Sequence, residues 1–388
     1  MDRGLHIFFI ASLIFSLSRA FIDSLVPLYL QAMGAQATEI SAIVTAAGLI
    51  ATACMSTSPY LTQRYGAKSL LIASSALGVI PPVALSLSDQ WLSAAPWILL
   101  HHVVFAVNLP ARMLFIAEQS RQGAMGRVFG YMNLVWPISG ILGPTLGGWV
   151  ADTWGWSSVF ILQGSSALIS IVPFFWLPTT TPPEPPLPSS NASYRELFHI
   201  PALQTSIVGF TLSQLLSCAS VGLADLVIPL YLTNHFGFTT TTVGVFFSIG
   251  GGVSTLITQI PSGYFADKMG GRALMLRALT VIPFAFFLYP FIPDGLLLLL
   301  LYMTVSGFRS ATWPASMAYL LTLVPSQLRS VAIGLRQIAN RLGFTLGPLI
   351  GGISWQYTNP TLTFLLASGL SAVAVCALLP VSESPEAT

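Results

Sequence analysis

Apolar residues fill this chain in blocks of about 18 or more, and the polar positions collect in short gaps between them. A helix needs about 20 apolar residues to cross the hydrocarbon of a bilayer, so each block has the length of a membrane span. Gly, Pro and charge punctuation places spans near 5–33, 38–61, 69–88, 92–117, 127–151, 155–177, 203–233, 239–266, 273–292, 295–323, 330–356 and 360–380. One long polar connection, residues 178–200, contains TTTPPEPPLPSSNASYRE and separates the sixth span from the seventh. Proline at that density cannot continue a helix and makes an extended spacer. The expected architecture is an all-α membrane protein of twelve transmembrane helices: a six-helix bundle at 1–177, a Pro-rich linker at 178–202 and a second six-helix bundle at 203–388.

The two halves repeat one another. Asp23-Ser24-Leu25-Val26-Pro27-Leu28-Tyr29-Leu30 returns as Asp225-Leu226-Val227-Ile228-Pro229-Leu230-Tyr231-Leu232, a shift of 202. Gly143-Pro144-Thr145-Leu146-Gly147-Gly148 returns as Gly347-Pro348-Leu349-Ile350-Gly351-Gly352, a shift of 204 that Pro110 and Pro314, and Gly66 and Gly270, also keep. Repeats with an even number of spans are related by an axis along the membrane normal, with a site expected between them at mid-membrane.

Composition narrows the class. Only 7% of residues are charged, against roughly 25% in soluble domains, which argues against a water-soluble enzyme. No Ser-His-Asp set, metal-ligand cluster or phosphate loop is visible, so no enzyme, metal or cofactor is expected. A net charge of +2 without a basic run gives no reason to expect nucleic acid. Cys54, Cys218 and Cys376 lie in apolar stretches and read as packing residues. The N-terminal run lacks a small-residue cleavage site and carries Arg19 and Asp23, so it reads as the first span rather than a secretory signal. Arg3, Arg64, Lys68, Arg121, Arg127, Arg195, Lys268, Arg272 and Arg329 all fall at the N-terminus or in even-to-odd loops. The positive-inside rule then puts both termini and the linker in the cytoplasm, in a multi-pass protein of the cell membrane, and leaves the Asn191-Ala192-Ser193 sequon idle.

Two motifs carry a resemblance. The loop after the eighth span reads Gly263-Tyr264-Phe265-Ala266-Asp267-Lys268-Met269-Gly270-Gly271-Arg272. The eleventh span carries Gly334, Gly343, Gly347, Pro348, Gly351 and Gly352, and the fifth Gly130, Gly143, Pro144, Gly147 and Gly148, with Ser139 where a further glycine would stand. Over essentially its whole length the chain resembles the major facilitator superfamily, whose loop signature is G-x-L-a-D-r-x-G-r-R and whose antiporters carry G-x8-G-x3-G-P-x2-G-G. The loop after the second span, with Arg64, Gly66 and Lys68, departs from the signature at Gln63, where the family has Asp. The resemblance implies a gating role for both loops, with Asp267 approaching the N-terminus of the fifth span near Arg127. It also associates the glycine array with exporters, although small residues on one face suffice for close helix packing by themselves.

Seven aspartates and arginines lie well inside the spans, where a central charge costs about 2.5–3.5 kcal/mol. They are Arg19, Asp23, Arg112, Asp225, Arg309, Arg336 and Arg341. Arg19 and Asp23 are four apart on one helix face, either a self-neutralising ion pair or a proton site tuned by burial and by the arginine. Asp225 is the repeat mate of Asp23, with Val221 where a second arginine would stand. Without a partner on its own helix it is the stronger candidate for proton coupling. Each Asp precedes a Pro by four positions, beside an expected bend. The arginines are not duplicated, which is where specificity can reside. Arg309 and Arg341 lie near the midplane, whereas Arg112 and Arg336 are expected to snorkel toward lipid phosphate. Gln337 and Asn340 add hydrogen-bonding capacity beside Arg341. Of His101 and His102, about 100° apart on the fourth span, only one can face a cavity; His102 is the candidate proton relay, against a backbone-bonded histidine. Trp97, Trp136, Trp313 and Tyr319 read as packing or interfacial residues.

The expected function is a proton-coupled secondary transporter exporting a small organic compound by alternating access. Asp23, Asp225 and His102 would carry the proton, and Arg19, Arg309, Gln337, Asn340 and Arg341 the substrate. The excess of arginine over aspartate favours an anionic or amphiphilic solute and keeps open a symporter or uniporter of an anionic metabolite. A non-transporting receptor or assembly partner is the alternative of another class. Protons, the solute and lipid are the expected partners of a monomer.

Overall fold

Lipid offers no water to backbone N–H and C=O groups, so each apolar run must close its own hydrogen bonds as a helix. The computed structural model describes residues 3–119, 125–178 and 201–381, and among these there is no strand. The first span is α1 (Arg3–Ala20) and α2 (Val26–Ala32); the next three are α3 (Ala37–Tyr65), α4 (Ala67–Leu77) with α5 (Ile80–Ser86), and α6 (Trp91–Gln119). The fifth is α7 (Met125–Asn133) with α8 (Val135–Trp154), the sixth α9 (Trp156–Phe175) and the seventh α10 (Pro201–Phe236). The eighth is α11 (Thr240–Phe247) and α12 (Ser254–Met269), joined by a π-helical turn at Ser248–Val253. The last four are α13 (Gly271–Leu288), α14 (Gly295–Leu323), α15 (Arg329–Tyr357) and α16 (Pro360–Leu378). Ten of the twelve segments are long and apolar enough to cross a bilayer. Of the others, Gly4–Ala20 is a shorter apolar helix, and Arg329–Tyr357 contains Arg329, Arg336 and Arg341. Large apolar side chains such as Leu87, Ile161, Trp176, Phe284, Leu296 and Val373 lie on the outside, as lipid requires.

By packing, the chain forms two compact units, Met1–Pro186 with Pro229–Gly252, and Leu187–Ile228 with Val253–Thr388. Most of the connection expected at 178–202 lies outside the described residues. In the first unit Phe8, Leu71, Phe115 and Phe174 build a fully buried cluster from α1, α4, α6 and α9. In the second, Phe286, Tyr289 and Phe364 are buried together, the last two rings 4.9 Å apart.

Glycine sets how closely the helices approach. A Cβ on Gly147 would strike the carbonyl of Phe21, and one on Gly351 would stand 3.0 Å from that of Leu223. Those partners are 202 apart and the glycines 204 apart, the spacing of the sequence repeat, so the duplication extends to tertiary packing. Gly143 and Gly343 are likewise filled by Ala20 and by Leu215 with Cys218. Gly130 is different: a Cβ there meets nothing, so it is not a packing position. Its expected role fails because Gly143, Gly147 and Gly148 of the same motif fall on the contact face and this one does not. In the first unit α11 lies on α8, with Gly148 against Thr240 and Gly244 against Pro144. The Asp152 carboxylate accepts hydrogen bonds from the backbone N–H groups of Thr240 (3.1 Å) and Thr241 (2.7 Å), at the positive end of α11. Ser248 Oγ, in the π-helical turn, accepts from Thr145 N (3.2 Å) and Thr145 Oγ1 (2.8 Å).

Candidate functional site

The first candidate cluster forms where the first span breaks. Pro27 has no N–H to give the carbonyl of Asp23, four residues earlier, and residues 21–25 form a turn between α1 and α2. Asp23 occupies that turn and bonds Arg19 Nε at 2.5 Å, the pair anticipated from the four-residue spacing. His101 Nε2 stands 3.3 Å from the other carboxylate oxygen of Asp23. Gln163 Nε2 lies 3.2 Å from His101 Nδ1, and Ser18 Oγ donates to the Gln163 backbone carbonyl at 2.8 Å. With the Gln163 amide donating to Nδ1, the neutral ring carries its proton on Nε2 and donates it to Asp23. The Arg19 guanidinium also sits 3.8 Å over the Phe105 ring. Beside the cluster is a cavity lined by Phe15, Ser18, Arg19, Gly78, His101, Val104 and Phe105, with room for about one water molecule.

The histidine assignment changes. His101, not His102, reaches Asp23; His102 Nδ1 bonds the Ile98 carbonyl one turn back, at 2.9 Å. The two rings meet only edge to face, 5.6 Å apart, and take different partners because adjacent helical residues diverge by about 100°. Gln163 had no sequence signal: it is one glutamine among the scattered serines of an otherwise apolar span, 62 positions from its partner.

The second cluster lies in the other unit and is built differently. Asp225 sits within the continuous α10, where Pro229 likewise leaves its carbonyl without an N–H partner. Tyr302 Oη donates to Asp225 Oδ1 at 3.3 Å, and Arg309 Nη1 to Oδ2 at 3.4 Å. Asp225 therefore has an arginine partner after all, supplied by α14 rather than by its own helix. Side-chain exposure is 30% for Asp23 and 36% for Asp225, so neither carboxylate is fully covered by protein. Arg309 also lies 6.0 Å from the Phe344 ring. Among the substrate candidates, Asn340 Oδ1 accepts from Cys218 Sγ at 3.4 Å, Gln337 is exposed and Arg341 is half-buried.

Arg112 and Arg336 do not snorkel. They are 2% and 1% exposed; Arg112 Nη1 donates to Ser16 Oγ (3.0 Å) and Arg336 Nη1 to Ser316 Oγ (3.2 Å). Each guanidinium lies against an indole, Arg112 at 5.4 Å from Trp136 and Arg336 at 5.6 Å from Trp313. Depth along a helix does not say which way a side chain points, and here both turn inward.

The family model described as Major Facilitator Superfamily matches residues 8–212 and again 210–388. The chain belongs to the major facilitator superfamily. It is a transporter of that family and not an enzyme, and it is a multi-pass membrane protein. It is 23% identical over 380 residues to the Multi-drug resistance efflux pump PmrA homolog of Lactococcus lactis subsp. lactis (strain IL1403), covering 92% of this chain and 89% of that one. It is 24% identical over 375 residues to Multidrug resistance protein MdtG of Klebsiella pneumoniae (strain 342), covering 93% and 88%. A solved structure of a nucleoside transporter NupG variant has the same fold, with a TM-score of 0.82 at 17% identity, over 98% of this chain and 100% of that one.

Within this superfamily fold, the loop cations hold helix ends. Lys68 Nζ donates to the carbonyls of Phe175 (2.9 Å) and Leu177 (2.6 Å), and Arg272 Nη2 to that of Leu379 (3.0 Å). Lys68 and Arg272 are 204 apart, as are Phe175 and Leu379, so the same C-terminal cap is built twice. Gly66 and Gly270 precede these cations with φ of 80° and 83°, a backbone conformation that favours glycine. Arg64 is exposed and reaches Tyr60 Oη at 3.5 Å; Lys268 is exposed. The side chains of Arg127 and Asp267, and the surroundings of Gly263, lie outside the described residues, and with them the expected latch.

Proposed function

We propose that this chain is a proton-coupled antiporter that exports a small organic compound by alternating access. The observation that carries the reading is the pair of repeat-equivalent carboxylates, Asp23 and Asp225, each partly exposed and each held by an arginine. A carboxylate whose partner is a fixed cation changes its preferred surroundings when it takes a proton. Only such differential affinity can shift the balance between two conformations. His101 takes the relay position beside Asp23, and Tyr302 supports Asp225. A single proton crossing about 100 mV supplies about 2.3 kcal/mol, enough for a roughly fifty-fold gradient of solute.

Export is favoured by the two multidrug relatives, named as an efflux pump and a resistance protein, and by the glycine array in both halves. The halves are 1–177 and 203–388 about the linker at 178–202, with both termini on the cytoplasmic side of the cell membrane, in accord with the distribution of Lys and Arg. A second reading, symport or uniport of an anionic metabolite, is favoured by the five intramembrane arginines against two aspartates. The test is proton flux in proteoliposomes offered candidate solutes, with Asp225→Asn beside the parent. Antiport moves protons against the direction of the solute and symport with it. Solute movement without protons makes the chain a uniporter, and a solute-independent membrane partner moves neither.

A further inference from the structure

Arg19, Arg112, Arg309, Arg336 and Arg341 lie well inside the spans, and their partners differ in kind. Arg19 and Arg309 each hold an aspartate. Arg336, from α15, is 1% exposed and forms no ion pair among the described residues. Its one hydrogen bond there is from Nη1 to Ser316 Oγ at 3.2 Å; that hydroxyl spends its own proton on the Trp313 carbonyl at 2.9 Å. Nε and Nη2 of Arg336 are buried with no hydrogen-bond partner among the described residues.

Those two atoms are not an arbitrary pair. In a guanidinium the Nε–H and Nη2–H bonds run parallel along one edge and make the fork that matches two oxygens of a carboxylate or phosphate. Arg112, the other deeply buried arginine, leaves only Nε open. Leaving charged donors unsatisfied is costly in every state of the protein that lacks a partner for them, so the arrangement calls for a state that supplies one. The surroundings suit a ligand with an apolar body and an anionic end. The Trp313 ring lies 5.6 Å from the guanidinium, and Asn340, one turn along the same face of α15, brings an amide that meets Cys218. Ser316 is seven residues from Arg309 on α14, about 10 Å of helix, so a second anion-binding position lies within one small molecule's length of the Asp225–Arg309 pair.

We propose that the Nε/Nη2 edge of Arg336 is a recognition site for a carboxylate or phosphate group of the transported solute. This rests on the transporter reading above and narrows its substrate class to organic anions or zwitterions.

The test is equilibrium binding to the purified full chain in nanodiscs of zwitterionic lipid, by calorimetry and without a proton gradient. Benzoate, phenylphosphonate and the neutral benzamide serve as probes. The anions are expected to bind and benzamide not; Arg336→Gln is expected to weaken anion binding by about tenfold to a hundredfold, and Arg336→Lys, which keeps the charge without the fork, by less. Anions that bind Arg336→Gln as they bind the parent, absence of anion binding at millimolar concentration, or equal binding of benzamide would each overturn the site. An effect of Arg336→Gln that emerges only with phosphatidylglycerol in the nanodisc would assign the edge to a lipid headgroup and overturn it as well. Arg336→Met guards against a merely structural role. It should raise the unfolding temperature of the ligand-free protein, because it removes donors with nothing to bond, whereas a fall would mark the arginine as structural. Loss of proton coupling with anion binding intact would defeat the antiport reading alone; charge-blind binding with proton coupling intact would defeat this site alone.

Discussion

Asp23 and Asp225 stand at equivalent repeat positions, and each is placed four residues before a proline that frees its carbonyl. Their partners come from different directions: Arg19 from the same helix, Arg309 from a helix 84 residues away. Arg309→Gln leaves the Asp225 carboxylate with the Tyr302 hydroxyl as donor, and the pair is not fully covered by protein, so the change is expected to cost about 1 kcal/mol rather than the ~3–5 of a sealed pair, read from unfolding in detergent. A second expectation concerns the histidine. Gln163→Leu removes the donor on His101 Nδ1 and frees the choice of tautomer, so the pH profile of transport should shift while the fold is retained; an unmoved profile would show that Gln163 does not hold the ring. The Arg19–Asp23 pair was legible in the sequence because its spacing is that of one helical turn. Arg309, Tyr302 and Gln163 were not, since no local pattern reports which residue a different helix brings across. The inward turn of Arg112 and Arg336 was illegible for a related reason: position in a span gives depth but not facing.

Helix packing is where the repeat is most exact in its chemistry. Gly147 and Gly351 meet equivalent carbonyls, and Lys68 and Arg272 cap equivalent helix ends, so backbone contact and dipole neutralisation were duplicated together. Gly147→Ala should therefore destabilise by about 1–3 kcal/mol or more, because a backbone carbonyl cannot yield as a side chain can, while Gly130→Ala should stay within about 0.5 kcal/mol. Thermal unfolding of the two variants side by side checks the contrast; equal losses would remove the packing argument. Lys68→Ala and Arg272→Ala should each cost about 0.3–1 kcal/mol through loss of the C-terminal cap, with added salt narrowing the difference from the parent. The breaks were only partly legible. Pro27 signals the turn between α1 and α2, whereas the same proline pattern at Pro229 leaves α10 continuous, and the π-helical turn at Ser248–Val253 has only its three glycines to announce it.

For the molecule as a whole, length, hydropathy and the duplicated motifs were enough to read the architecture, since the bilayer restricts an apolar chain of this kind to packed helices. The superfamily assignment places the chain among transporters, and the arrangement of charge supplies the proposed coupling. Asp152 capping α11, together with the glycine contact between α8 and α11, shows the first unit held by backbone contacts as well as side chains. If the two aspartates carry the proton, a variant lacking one should still exchange solute for solute, because that exchange needs no change of protonation. The decisive measurement compares solute counterflow with pH-driven solute transport in proteoliposomes of the parent, Asp23→Asn and Asp225→Asn. The account predicts that both variants retain counterflow and lose pH-driven transport; pH-driven transport at the parental rate in both would contradict it.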